Sequence, residues 1–240
     1  MLFPNAPSAR AADATSSAES TWLPTPTRMP QVFDFDRNLY SLDDSASPWV
    51  VVNKRTPLYP LKFKPKGLTK VALPGGGNPY SQSLAKPAAA ALLKMAKSMK
   101  AAGAGTLVLQ SGYRSYNSQV SVHKRQVAKY GLAKGEALAA RPGYSEHQTG
   151  LAGDLGAVGQ GCVIRICFAQ TKAGSWLAKN AYKFGFILRY PNGQTNITGY
   201  QYEPWHFRYV GKELSGEMKI ESISVLELFW RLPYAASYAN

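Results

Sequence analysis

Residues 145–154 read Ser145, Glu146, His147, Gln148, Thr149, Gly150, Leu151, Ala152, Gly153 and Asp154. The spacing of His147 and Asp154 would place both on one face of a helix, but Gly150 and Gly153 break any helix laid over them. A turn that comes back as a strand is the expected geometry. Further along, Glu203, Pro204, Trp205 and His206 bring an acid and a second imidazole close together in the chain. The proline between them excludes the helical H-E-x-x-H arrangement found in many zinc peptidases.

A hydrolytic zinc site needs three imidazole or carboxylate ligands, one open position for water, and a base that is not itself a ligand. His147, Asp154 and His206 supply the ligands, and Glu203 supplies the base. Each residue alone has an ordinary reading: Asp154 as a turn residue, Glu203 as an ion-pair partner of Arg208, a lone histidine as a hydrogen-bonded or surface group. His123, in a basic helix, is read in that last way. Together, the S-x-H-x-x-G-x-x-x-D string and the later E-x-x-H string are far more specific.

Working outward, Trp49 to Val52 is a short apolar, β-branched run expected to be a strand, followed by a proline-rich connection. Leu73 to Tyr80, with three consecutive glycines, reads as loop. Pro87 to about Ala102 is the clearest helix, with Pro87 in its first turn and Gly103 beyond its end. Strand is expected over Thr106–Gln110. A helix capped by Ser115 or Asn117 should run to Tyr130, and a shorter one should cover Leu132–Ala140. A further helix is expected from Thr171 to about Lys183, strand over Phe186–Tyr190, a polar hairpin loop over Pro191–Gly199 and strand over Tyr202–Val210. This mixture, without regular β-α-β alternation, indicates an α+β fold. Residues 1–45, rich in Ala, Ser, Pro and Thr, read as a flexible or surface-packed extension, which leaves residues 46–240 as a single domain.

The chain has 240 residues, and 28 Lys and Arg against 14 Asp and Glu give it a net charge of +14. A hydrophobic fraction of 45% excludes overall disorder. The longest apolar runs are far too short to span a bilayer, so no transmembrane segment is expected. Between Ser45 and Tyr202 the only acids are Glu136, Glu146 and Asp154, so an acid retained there invites a specific explanation. The charge itself suits a solvated basic surface or attraction to a polyanion. Cys162 and Cys167 could form a short-loop disulfide in an exported protein or remain as two thiols; their spacing makes a poor zinc site. The first thirty residues show no apolar core of a signal peptide.

The segments quoted so far, taken in order, resemble the VanY-type D-alanyl-D-alanine carboxypeptidases, relatives of the VanX dipeptidases and of phage L-alanoyl-D-glutamate endopeptidases. The resemblance rests on Val52, Asn53 and Lys54 with Pro57 and Leu58, on SGYRSYNSQ from Ser111 to Gln119, on Gly143 to Asp154, on Gly185 to Pro191, and on TGYQYEPWHFRYVG from Thr198 to Gly211. It implies a hedgehog/D-Ala-D-Ala peptidase-like fold, with a small antiparallel sheet carrying the zinc site and helices over its other face. It also implies one zinc ion on His147, Asp154 and His206, with Glu203 as catalytic base and Arg114 as a catalytic and substrate-binding cation. Gln119, Ser145, Tyr190 and Trp205 match substrate-binding positions. The implied substrate is the peptidoglycan stem peptide, cut by a monomer in the periplasm or at the cell surface. L,D-carboxypeptidase or endopeptidase action at the same site, and a non-catalytic wall-binding module, are the alternatives. A nucleic-acid partner is not expected, and the positive charge suits weak attraction to an anionic cell wall.

Overall fold

The alanine and leucine spacing that makes Lys86–Ala101 helical (α1) also gives that helix one apolar stripe, Ala88, Ala89, Leu92, Met95, Ala96 and Met99, all buried. Pro87 occupies its first turn and Gly103, at φ 67, lets the chain leave its end. Fully burying a side chain such as Leu92 or Met95 contributes roughly 1.5–3 kcal/mol. The computed structural model describes residues 35–78 and 81–239; the reading of residues 1–34 as an extension falls outside the described residues.

Two short strands precede α1, β1 (Leu68–Lys70) and β2 (Ser83–Ala85), which pair antiparallel. After α1 come β3 (Leu107–Ser111), α2 (Tyr116–Tyr130) and α3 (Leu132–Leu138), with Ser115 capping α2 through the Ser118 amide. A 3₁₀ turn over Glu146–Thr149 leads into β4 (Ala152–Ala157). Next are α4 (Lys172–Asn180), β5 (Phe186–Leu188), α5 (Thr195–Thr198), β6 (His206–Tyr209), α6 (Lys212–Ile220) and α7 (Leu226–Phe229). The main sheet is antiparallel in the order β3-β4-β6-β5. The expected α+β class is what the chain adopts.

The two-residue period of the central strands separates core from site. Leu155 of β4 and Phe207 of β6 join Leu109, Leu92, Met95 and Met99 in the larger core cluster, which lies between the sheet and α1. Their alternating neighbours Asp154, His206 and Arg208 face the other way. On that side a second cluster forms from Trp49, Val51, Ile187, Val210, Leu214, Met218, Leu226 and Phe229, with α6 and α7 supplying half of it. Phe35 and Leu42 pack against this second cluster.

Several elements differ from the sequence expectation. Trp49–Val52 is buried but is not a strand. Its Pro48 and Val50 carbonyls accept from Arg208 Nη2 at 3.1 and 2.8 Å, so a side chain takes the place of a neighbouring strand. The strand expected over Tyr202–Val210 shrinks to β6, because Glu203–His206 form a turn closed by the His206 amide on the Glu203 carbonyl at 3.0 Å. Pro204 sits at the second position of that turn, where a fixed φ is favoured. The helix expected to reach Lys183 ends at Asn180 and continues as a 3₁₀ turn over Ala181–Phe184. The loop between β5 and β6 contains α5. Among the described residues no helix is long and apolar enough to cross a membrane.

Candidate active site

Asp154 and His206 are direct cross-strand partners on β4 and β6, and Ser111 of β3 pairs Asp154 from the other side. The β3–β4 register slips between Leu109 and Ser111, a bulge that re-aims the end of β3 at this point. His147 arrives from the 3₁₀ turn. Gly150 ends that turn at φ 71, a left-handed conformation that side chains rarely adopt, and a Cβ there would meet the Ala85 amide nitrogen and Leu68 Cδ2 at 3.0 Å. The turn and returning strand expected between His147 and Asp154 are therefore present.

One ligand atom from each of His147, Asp154 and His206 lies within 4.8 Å of the others, and all three residues are buried. His147 Nε2 is 3.4 Å from Asp154 Oδ2, and His206 Nδ1 is 3.1 Å from Asp154 Oδ1. Four ligands placed tetrahedrally around zinc at roughly 2.0–2.1 Å sit roughly 3.3 Å from one another. The other ring nitrogens are fixed from behind. His147 Nδ1 donates to the Gly112 carbonyl at 2.8 Å, and His206 Nε2 donates to Glu146 Oε2 at 3.2 Å. A carbonyl and a carboxylate can only accept, so His147 Nε2 and His206 Nδ1 are the nitrogens left to bind a metal. The imidazole and carboxylate donors and their spacing fit zinc.

Glu203 approaches the same point, with Oε2 3.8 Å from His206 Nδ1. Burial lifts its carboxyl to about 8, against the pull of His206. Burial also pushes Asp154 upward, but His147 and His206 more than offset this and hold it well below the usual carboxylate range. His206 is raised to about 9: its burial works the other way, and its bonds to Asp154 and Glu146 prevail. That second proton, on Nδ1, is the one a bound metal would replace. Burial, with Arg114 adding to it, lowers the pKa of His147.

Arg114 Nη1 donates to Gln119 Oε1 and its Nη2 to Ser111 Oγ, both at 3.0 Å, and Nη2 lies 3.8 Å from Asp154 Oδ2. The Gln119 amide in turn donates to the Ala140 carbonyl at 2.7 Å. Gln119 thus lines the cavity while holding Arg114 in place. Ser145, Tyr190 and Trp205 also line this cavity of about 370 Å³, with His147, Asp154, Glu203 and His206 in its wall. The Tyr190 ring lies 4.8 Å from that of His206. His123 lies outside this group, 3.5 Å from Glu136, where α2 packs on α3. Arg208, the sequence candidate for pairing with Glu203, pairs instead with Glu146.

Glu146 is the residue that sequence reasoning missed. It is fully buried, with Oε1 accepting from Arg189 Nε at 2.8 Å and from Arg208 Nη1 at 2.9 Å. Burial raises its pKa, but Arg189 and Arg208 outweigh burial and hold it far below the usual carboxylate range. Arg189 continues the network through a two-pronged pair with Glu227, at 2.9 and 2.7 Å, and Asn53 donates to the same carboxylate. The signal available in sequence was that Glu146 is one of three acids in a long basic stretch.

The VanY family model, described as D-alanyl-D-alanine carboxypeptidase, matches residues 81–212. A D-alanyl-D-alanine carboxypeptidase of Enterococcus faecium is 40% identical over 125 residues, 52% of this chain and 36% of that protein. The curated relatives are covered over 36% to 55% of their own lengths. The solved structure of the LdcB LD-carboxypeptidase superposes with a TM-score of 0.71 at 36% identity, covering 78% of this chain and 87% of that one. A variant of the vancomycin resistance D,D-pentapeptidase VanY from a VanB-type resistance cassette, in complex with Zn(II), superposes at 0.62 with 31% identity, covering 75% and 97%.

Proposed function

Because the chain belongs to the VanY family of D-alanyl-D-alanine carboxypeptidases, we propose that it is a zinc-dependent D,D-carboxypeptidase. In this reading it removes the terminal D-alanine from peptidoglycan stem peptides or their precursors. The observation that carries it is the meeting of His147, Asp154, His206 and Glu203 in one cavity. His147 Nε2, an Asp154 oxygen and His206 Nδ1 would hold one zinc ion. Zinc supplies Lewis acidity there, polarising the scissile carbonyl and acidifying water.

Glu203 takes the proton of the attacking water on its carboxylate and delivers it to the amine of the departing D-alanine. A metal bound by the neighbouring ligands would favour the carboxylate form of Glu203. Arg114, pre-set by Gln119 and Ser111, supplies the cation that the substrate's terminal carboxylate and the developing oxyanion both need. Ser145, Tyr190 and Trp205 line the path of the peptide. The protein acts as a monomer outside the cytoplasm, where its substrate lies. Two observations support that location: the Cys162–Cys167 disulfide, which suits an oxidising compartment, and the +14 charge, which favours weak association with an anionic wall.

The likeness to an LD-carboxypeptidase supports a second reading, in which the same groups release D-alanine from a tetrapeptide stem. Mass spectrometry of defined pentapeptide and tetrapeptide stems after incubation with the zinc-loaded protein separates the two. Loss of one alanine from the pentapeptide, stopping at tetrapeptide, is expected. Conversion of tetrapeptide to tripeptide alone would replace the D,D assignment with the L,D one, and loss of neither would overturn both.

A further inference from the structure

The segment after β4 carries an unusual density of exposed apolar side chains. Val158, Val163, Ile164 and Ile166 are 55%, 50%, 45% and 60% exposed. The loop that bears three of them is closed by the Cys162–Cys167 disulfide, with a Cα separation of 5.6 Å. Both ends are anchored. Gln160 donates to the Ala104 carbonyl at 2.7 Å and accepts from the Ala173 amide at 2.9 Å, and Phe168 is fully buried in the main core. Inside this frame Cys162 and Ile164 have φ of 55° and 49°. That region is costly for a β-branched residue and persists only where the surroundings enforce it, most often at ligand sites. Ile164 lines the same cavity as Arg114, Glu203 and His206.

We infer that the disulfide-closed loop 162–167 is an apolar lip of the peptide-binding cleft, with Ile164 contacting the small aliphatic side chain of an alanyl residue next to the scissile bond. The continuity of Ile164 with the cavity that holds the ligand and base residues identifies the occupant as the substrate peptide. An exposed apolar side chain in the wall of a charged cavity marks where an apolar part of a ligand rests. The disulfide acts through Ile164: by enforcing the left-handed backbone it pre-sets the contact, so the loop need not be ordered on binding. Ile164 is thus a specificity residue, and Cys162 and Cys167 are positioning residues.

This inference rests on the proposed carboxypeptidase activity, and its test separates the two. KM, kcat and zinc content are measured on an alanyl-terminated stem peptide for the wild-type protein, Ile164→Gly, and the Cys162→Ser/Cys167→Ser pair, with thermal unfolding run alongside. Glycine tolerates the left-handed conformation, so Ile164→Gly removes the side chain without adding strain. The expected result is a KM raised about tenfold in Ile164→Gly, at unchanged kcat and zinc content. The cysteine pair should raise KM in the same direction, and combining both changes should add little. A wild-type enzyme that hydrolyses the peptide while Ile164→Gly keeps KM within about twofold would overturn the lip and leave the activity standing. A fall in kcat at constant KM would overturn it too, by making the loop part of the reacting centre. A wild-type protein that hydrolyses no stem peptide overturns the activity and this inference together.

Discussion

Glu146 Oε2 lies 3.2 Å from His206 Nε2, so the imidazole whose Nδ1 faces Asp154 is oriented from behind by a fully buried carboxylate. Arg189 and Arg208 complete the coordination of that carboxylate, and all three side chains are inaccessible to solvent. Outer partners of this kind fix the tautomer and rotation of a ligating histidine. Glu146→Gln should therefore weaken zinc binding by about 10–100-fold. It should also lower stability by about 3–5 kcal/mol, because two buried guanidiniums lose a shared counter-charge. Competition against a chromogenic chelator reads the first effect and urea unfolding the second. Unchanged zinc affinity in a folded variant would remove Glu146 from the site's support.

The far end of the same network gives a pH dependence. Burial raises the pKa of Glu227, but Arg189 and the bonds it and Asn53 make outweigh burial, so the folded value lies below the ordinary 4.5. A depressed carboxylate contributes stability that is fully present above the unfolded pKa and is lost as pH falls through the folded one. The contribution of Glu227 to the unfolding free energy, read as the difference between wild type and Glu227→Gln, should thus be level above about pH 5.5 and fall on acidification below 4.5. Glu227→Gln should flatten that acid limb. Parallel limbs for wild type and variant in urea titrations across this range would contradict the assignment.

Arg114 is held by Gln119 and Ser111 with its Nη2 beside Asp154. Replacing it with alanine should cut kcat/KM by roughly 10- to 100-fold, the range for a lost hydrogen bond to a charged group. Arg114→Lys should recover little, since an ammonium cannot reproduce the planar fork. Steady-state kinetics also divides the role: a rise in KM reports the substrate's carboxylate and a fall in kcat the oxyanion. A kcat/KM within twofold of wild type would exclude Arg114 from both.

The meeting of His147, Asp154, His206 and Glu203 was legible because their chemistry is carried by residue type and by glycine and proline placement. Gly150 permits the turn behind His147, and Pro204 shapes the turn that sets Glu203 beside His206. Helix α1 was equally plain, since an alanine-rich run with one apolar stripe has little other use. Glu146 was not assigned, because nothing local tells a carboxylate to turn inward: its partners, Arg189 just after β5 and Arg208 in β6, lie far along the chain. The same distance effect hid the nature of Trp49–Val52, whose apolarity was evident but whose Val50 carbonyl, like that of the preceding Pro48, accepts from the distant Arg208. Helices α6 and α7 are short, and their apolar residues Leu214, Met218, Leu226 and Phe229 acquire meaning only against Trp49 and Val210.

In the proposed mechanism Glu203 moves the proton for a metal held by His147, Asp154 and His206. The most direct test of that mechanism is turnover of a D-alanyl-D-alanine-terminated peptide by wild type and Glu203→Gln, with zinc per chain measured on the same samples. One zinc in each protein is expected, with a turnover lower by about 10²–10⁴-fold in the variant, the usual contribution of a general base. Near wild-type turnover by a zinc-loaded Glu203→Gln protein would contradict it.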